Sequence, residues 1–234
     1  VDGMRAALDE AVLGRGRLHG VALRQGRRLV GLAPFFRTHY FGLPLRRLCL
    51  LGTGNTDYLD VLLDPPWAQQ EARYVLAELG SGAHFLDLQQ LRPESPLLSA
   101  AGPSGCAEHR FVQEVCPALD LPPDVSAFQA ALPARLRGNL RYYRRRLERE
   151  GYVLDTARED TLNPYLEALF DLHQARWKRR RLPGVFASGK VRSFHRAAAA
   201  GFLRRGWLRL HVLRRGETVV AALYCFTCRG RTYY

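Results

Sequence analysis

Two segments of this chain, 190 residues apart, align without a gap. Leu18–Phe36 and Leu208–Phe226 share Leu18/Leu208, Leu23/Leu213, Arg24/Arg214, Gly26/Gly216, Val30/Val220 and Phe36/Phe226, six identities in nineteen positions. Each reads as a strand, a turn built on a basic residue and glycine, and a second, more apolar strand. Unrelated hairpins can reach this level of identity. If the match is a repeat, it requires two copies of one α/β unit, and the second copy stops near its middle, at Tyr234. The chain starts at Val1 rather than Met, so it reads as a piece whose front is also missing.

Patterning around the hairpins supports a mixed α/β fold, an α+β arrangement with a mixed sheet. Strands are expected at Leu18–Arg24, Arg28–Arg37, Leu48–Leu51, Tyr58–Leu63, Phe85–Leu88 and Phe111–Cys116, where β-branched and aromatic residues alternate with glycine and proline punctuation. Pro65-Pro66 opens a helix over Trp67–Leu79, and Leu97–Gly105 is ambiguous. The proline-bounded stretch Pro117–Pro123 is the best boundary, giving units 1–117 and 118–234. Beyond it the period turns helical. Ser126 and Gln129 have capping-box spacing. Leu136, Leu140, Tyr143 and Leu147 make one apolar stripe over Pro133–Glu150, with Gly151 as the stop. Asn163-Pro164 reads as a cap and first helical position, followed by Leu166, Leu169, Phe170, His173 and Trp177 on one face. Val191, Phe194, Ala198 and Phe202 mark a third helix. Strands at Trp207–Leu213 and Thr218–Phe226 follow, and another begins at Arg231–Tyr234.

Charge narrows the partners. Lys and Arg number 35 against 22 Asp and Glu, a net charge of +13. Such a balance suits nucleic acid, phosphates or an anionic membrane surface. All but Lys178 and Lys190 are arginine, a skew that a GC-rich coding bias also produces. Seven arginines fall in the window Arg135–Arg149, among them Arg137, Arg141 and Arg145, and Arg179-Arg180-Arg181 follow the next helix. They can grip phosphate groups or form a solvated face. No apolar run is long enough to span a membrane. Five cysteines at irregular spacing do not make a disulfide scaffold. Cys225-x-x-Cys228 has no second pair to complete a zinc site, so no metal and a reducing cytoplasm are expected.

The ordered motifs resemble a known family. Leu172-His173-Gln174-Ala175-Arg176-Trp177 is similar to the L-H-x-x-R-W helix of CelD-type acetyltransferases, the cellulose-biosynthesis branch of the GNAT superfamily. The arginine-rich Pro133–Gly151 resembles the helix before it, and Phe186 and Phe194 fall where later family aromatics fall. Gly216–Ala221 resembles the family's strand ending, Leu32–Phe35 its l-P-l strand end, and Gly52 with Thr56–Asp60 its G…s-D-Y-x-D segment. A tandem of GNAT-like units also occurs in Fem-type aminoacyltransferases, which take an amino acid from aminoacyl-tRNA. The resemblance implies an N-acyltransferase using acetyl-CoA or another acyl-CoA. Its acceptor would be an amine or hydroxyl of a small-molecule sugar, a glycolipid or another envelope or exopolysaccharide intermediate, met in the cytoplasm or at the inner face of the membrane.

For the acceptor, the candidates are Asp57, Tyr58, Asp60, His173, Arg176 and Trp177. The first three also read as a strand entry. His173 and Trp177, four apart on an apolar face, also read as core. Family members hold the CoA pyrophosphate on backbone amides between a strand and the next helix. Here that loop is expected beyond Tyr234, so the stretch 1–234 alone is expected not to turn over. Gly52-Thr53-Gly54 reads as a plain turn or a weak substitute. A non-enzymatic basic module using the arginine helix is the reading from a different class.

Overall fold

The computed structural model describes residues 16–39, 43–54, 56–65, 68–80 and 83–234. It divides after Pro117 into two compact units.

The first unit holds β1 (Arg17–Gln25), β2 (Arg28–His39), β3 (Arg46–Leu50), β4 (Leu62–Leu63) and β5 (Phe85–Asp87), with helices α1 (Ala68–Gly80) and α2 (Pro96–Ser99). Sheet order is β1-β2-β3-β5, with β4 also on β2. The β3–β5 pair is parallel and the others are antiparallel, so the sheet is mixed. Phe35, Leu48 and Leu50 bury their side chains from the sheet against Val75, Leu76 and Leu79 of α1. Burial also pushes the Cys49 thiol up to about 11, which leaves it protonated and unreactive.

The second unit runs α3 (Val125–Ala131), α4 (Ala134–Arg149), β6 (Tyr152–Thr156), α5 (Leu162–Arg179), a 3-10 turn (Val185–Ala187), α6 (Gly189–Arg204), β7 (Leu208–Arg215), β8 (Thr218–Cys228) and β9 (Arg231–Tyr233). Its sheet is antiparallel in the order β6-β7-β8-β9. Alternation along β7 sends Leu208, Leu210 and Val212 inward, where they meet Leu166 and Phe170 of α5 and Ala199 of α6.

The two aligned hairpins fold the same way. Leu18 pairs with Phe36 and Leu208 with Phe226. Both ladders slip at the same place, between Leu23 and Arg24 and between Leu213 and Arg214. Gly26 and Gly216 turn the chain at φ +59° and +56°, a left-handed conformation that a β-carbon disfavours. The aligned residues thus specify turn, bulge and register together.

Several local expectations are corrected. Only Leu62–Leu63 of the Tyr58–Leu63 segment is strand, and Leu59 makes a single bridge to Leu91. The Val61 amide donates to the Asp60 side chain rather than to a neighbouring strand. Phe111–Cys116 forms no strand, and Phe111, Val112 and Val115 are 82%, 87% and 82% exposed. Strand propensity needs a partner strand to act on, and residues 111–116 pair with none of the described strands. Asp124, not Ser126, caps α3, accepting from the amide of Ala127. Helix α5 starts at Leu162, so Asn163 and Pro164 lie inside its first turn, where the missing proline N–H is not needed. The apolar stripe of α4 is not core: no residue of α4 is buried, and Leu136, Leu140 and Tyr143 are exposed. Among the described residues, no helix is long and apolar enough to cross a membrane.

Phe170 is fully buried between α5, α6 and the 3-10 turn. Phe170→Ala is expected to destabilise the second unit by about 3–5 kcal/mol, the cost of deleting a buried phenyl ring. Urea unfolding followed through the fluorescence of Trp177 and Trp207 measures it.

Candidate active site

The C-terminal half of α5 sets two rings one turn apart. The Trp177 indole Nε1–H donates to His173 Nε2 at 2.8 Å. An indole nitrogen can only donate, so Nε2 carries no proton and the neutral imidazole holds its proton on Nδ1. That Nδ1 is buried and has no partner. Burial, helped by the charge of Arg176, holds the His173 pKa below the ordinary histidine value. The site therefore presents an unused N–H donor.

Phe186 joins this pair to a second one. Its ring lies 4.7 Å from His173, 4.7 Å from Phe170 and 5.0 Å from His195 on α6. The His195 ring in turn lies 5.8 Å from Tyr224 on β8, with Nδ1 and the phenol oxygen 3.5 Å apart. Burial lowers the His195 pKa and raises that of Tyr224. Near neutrality the pair is thus an uncharged imidazole beside a protonated phenol.

The connection from α5 to α6 is fastened at both ends. Gly184 has φ +66°, and a β-carbon there would sit 3.0 Å from three atoms of Trp177. A side chain at 184 would push the loop off the indole. Arg192 Nε donates to the Phe186 carbonyl at 2.8 Å, and Arg196 Nε donates to Glu167 at 2.7 Å. Helices α5 and α6 are thereby tied on the solvent side of the aromatic cluster.

Arg176 is exposed beside His173 and acts on it through charge. Asp57 and Tyr58 are exposed in the first unit. Asp60 has a structural task, since its Oδ1 accepts from the buried Ser95 hydroxyl, which itself caps α2. Arg137 donates to the carbonyl of Ala130 at the end of α3. Arg141 and Arg145 share one exposed face of α4 with Arg149 and Tyr142, whereas Arg144 and Arg146 pair with Glu148 and Glu150.

His195 and Tyr224 escape the sequence reading. A signal existed: His195 stands four after Val191 and three before Ala198, on the inward stripe of the third helix. Tyr224 alternates with Ala222 and Phe226 on the inward face of β8. Such positions ordinarily read as packing.

Residues 134–234 match the acetyltransferase (GNAT) domain family. No curated protein matches the sequence significantly. Among solved structures the chain is similar to one titled as the crystal structure of FemX, with 11% identity and a TM-score of 0.53. The similarity covers 91% of this chain and 51% of that one, so the chain spans about half its length. At this identity the likeness concerns the fold, and it fits two GNAT-like units in tandem. The family match lies wholly within the second unit.

Both site histidines have folded pKa values below their unfolded ones, so the unfolded chain binds more protons. Stability they contribute is complete above about pH 6.5 and is lost as pH falls through that value toward the folded pKa values. Asp155 and Glu167 act in a lower window, below about pH 4.5, because the Tyr165 hydroxyl and Arg196 guanidinium hold their carboxyls down. Urea midpoints are expected to drop between pH 7 and pH 5, and to drop less in His195→Gln.

Proposed function

We propose that the chain carries the acceptor-binding part of an N-acyltransferase that moves an acyl group from an acyl-CoA thioester to an amine. The observation that carries this reading is the neutral His195–Tyr224 pair inside the GNAT-type domain. Acyl transfer requires a group to take the proton of the attacking amine and a donor for the developing oxyanion. An uncharged His195 can accept that proton. A Tyr224 kept protonated by burial can donate a hydrogen bond to the oxyanion. The unused N–H of His173 can orient an oxygen of the acceptor, and the Phe186 and Trp177 rings exclude water around it. The finer reading follows the CelD-type resemblance: an acceptor drawn from sugars or exopolysaccharide intermediates, with acetyl-CoA as donor.

A second reading, tRNA-dependent aminoacyl transfer of the Fem type, is favoured by the free arginine face of α4. Arg141, Arg145 and Arg149 recur at helical spacing, and among the described residues no carboxylate comes within 4.0 Å of them.

Transfer assays on the protein in its natural length, with acetyl-CoA and amino sugars or with aminoacyl-tRNA, separate the two. Transfer from acetyl-CoA supports the first reading, and transfer from aminoacyl-tRNA alone selects the second. Transfer from neither overturns both. Tyr224→Phe and His195→Gln are each expected to lower kcat about 100-fold, with little change in KM for the donor. Full rates in both variants would remove the pair from the chemistry.

The Arg141→Ala/Arg145→Ala double variant is expected to keep its circular dichroism spectrum, because neither side chain is packed. If it binds tRNA, its salt dependence should fall by about one ion per arginine removed. An unchanged slope would leave the arginine face as a solvated surface.

A further inference from the structure

The first unit contains a group of basic side chains that neither its core nor the acyl-transfer reading uses. Arg17 faces Arg37 across the β1–β2 ladder, and His19 faces Phe35. Strand alternation places Arg17, His19 and Arg37 on one side of the sheet, the side on which Ala33 and Phe35 are buried. Arg37 Nη2 lies 3.3 Å from His19 Nδ1. A guanidinium only donates, so that imidazole nitrogen is the acceptor. Arg37 Nε is buried and has no partner. A half-open cavity of about 250 Å³ is lined by Arg17, Leu18, His19 and Arg37.

Charge bookkeeping around this cavity does not close. Among the described residues, no carboxylate comes within 4.0 Å of Arg17 or Arg37. Arg47 offers the contrast: its Nε is equally without a partner, but its charge is matched by Asp87. A partly buried guanidinium without a counter-ion is unfavourable, and a neutral imidazole relieves only one of its hydrogen bonds. The edge formed by Nε–H and Nη2 matches two oxygens of one anion. Arg17 adds a second positive charge at the cavity rim.

We infer that this end of the β1–β2 hairpin binds a compact oxyanion, a phosphoryl or carboxylate group of a ligand, between Arg37, His19 and Arg17. The site lies wholly within the first unit and does not depend on the acyl-transfer reading.

Amide NMR titrations of the full chain with sodium phosphate, and separately with sodium acetate, test it at ionic strength held constant with sodium chloride. Saturable shifts are expected at the amides of residues 17–19 and 37. Saturation by phosphate alone identifies a phosphoryl ligand, by acetate alone a carboxylate, and by both an unselective oxyanion site. Arg37→Gln should weaken the affinity about tenfold or more. Arg28→Gln, at the opposite end of the hairpin, should leave it unchanged. Should Arg37→Gln fail to fold, Arg17→Gln, whose side chain is exposed, should still weaken binding several-fold. Shifts that stay linear with both anions, or that saturate equally in the Arg37 and Arg17 variants, overturn the assignment.

Discussion

The ring of Phe186 sits where α5, α6 and the loop between them meet, against Phe170, His173 and His195 at once. Its backbone carbonyl is held by Arg192, which also faces Glu167 and Asp171 across the helix pair. One side chain thus fixes the spacing of two histidines from different helices, and His195 reaches Tyr224 on β8. Burial in this aromatic setting disfavours charge, which accounts for the low pKa of both histidines and the raised pKa of the tyrosine. The same packing that builds the core of the second unit therefore sets the protonation states that acyl transfer would use.

The two aligned hairpins share one backbone scaffold and carry different side chains. Turn, bulge and register coincide in the two copies. The side chains on them do not. The position of Tyr224 is Pro34 in the first copy, which has neither hydroxyl nor amide proton to offer. The flanking positions Arg17 and His19 become Trp207 and Arg209 in the second copy. Trp207 packs on Phe202 there, and the cluster of basic groups has no counterpart. Backbone geometry is retained because a glycine and a bulge specify it, while the side chains at the hairpin's open end are free to diverge.

Much of this fold was legible in the sequence, because hairpins and amphipathic helices are written locally: Gly26 and Gly216 mark the turns, and the stripe from Leu166 to Trp177 marks α5. What failed were inferences about what lies opposite a face. The α4 stripe has correct helical spacing but is not buried among the described residues, and the β-branched run near Phe111 pairs with no described strand. In the candidate site, His173 and Trp177 were visible as an i, i+4 pair, but the direction of their hydrogen bond was not. Asp60 read either as chemistry or as a strand entry, and its bond from the Ser95 hydroxyl was not visible. His195 and Tyr224 looked like packing, because their meeting spans 29 residues and depends on the placement of β8 against α6.

Every role given to the aromatic cluster depends on its being neutral and on the Nδ1–H of His173 being free to donate. Long-range proton–nitrogen correlation NMR at pH 7 reads the protonation of each imidazole nitrogen. The structure predicts a neutral His173 protonated at Nδ1 with Nε2 accepting from the indole of Trp177. A ring protonated at Nε2, or an imidazolium, would contradict it and with it the acceptor-orienting role given to this residue.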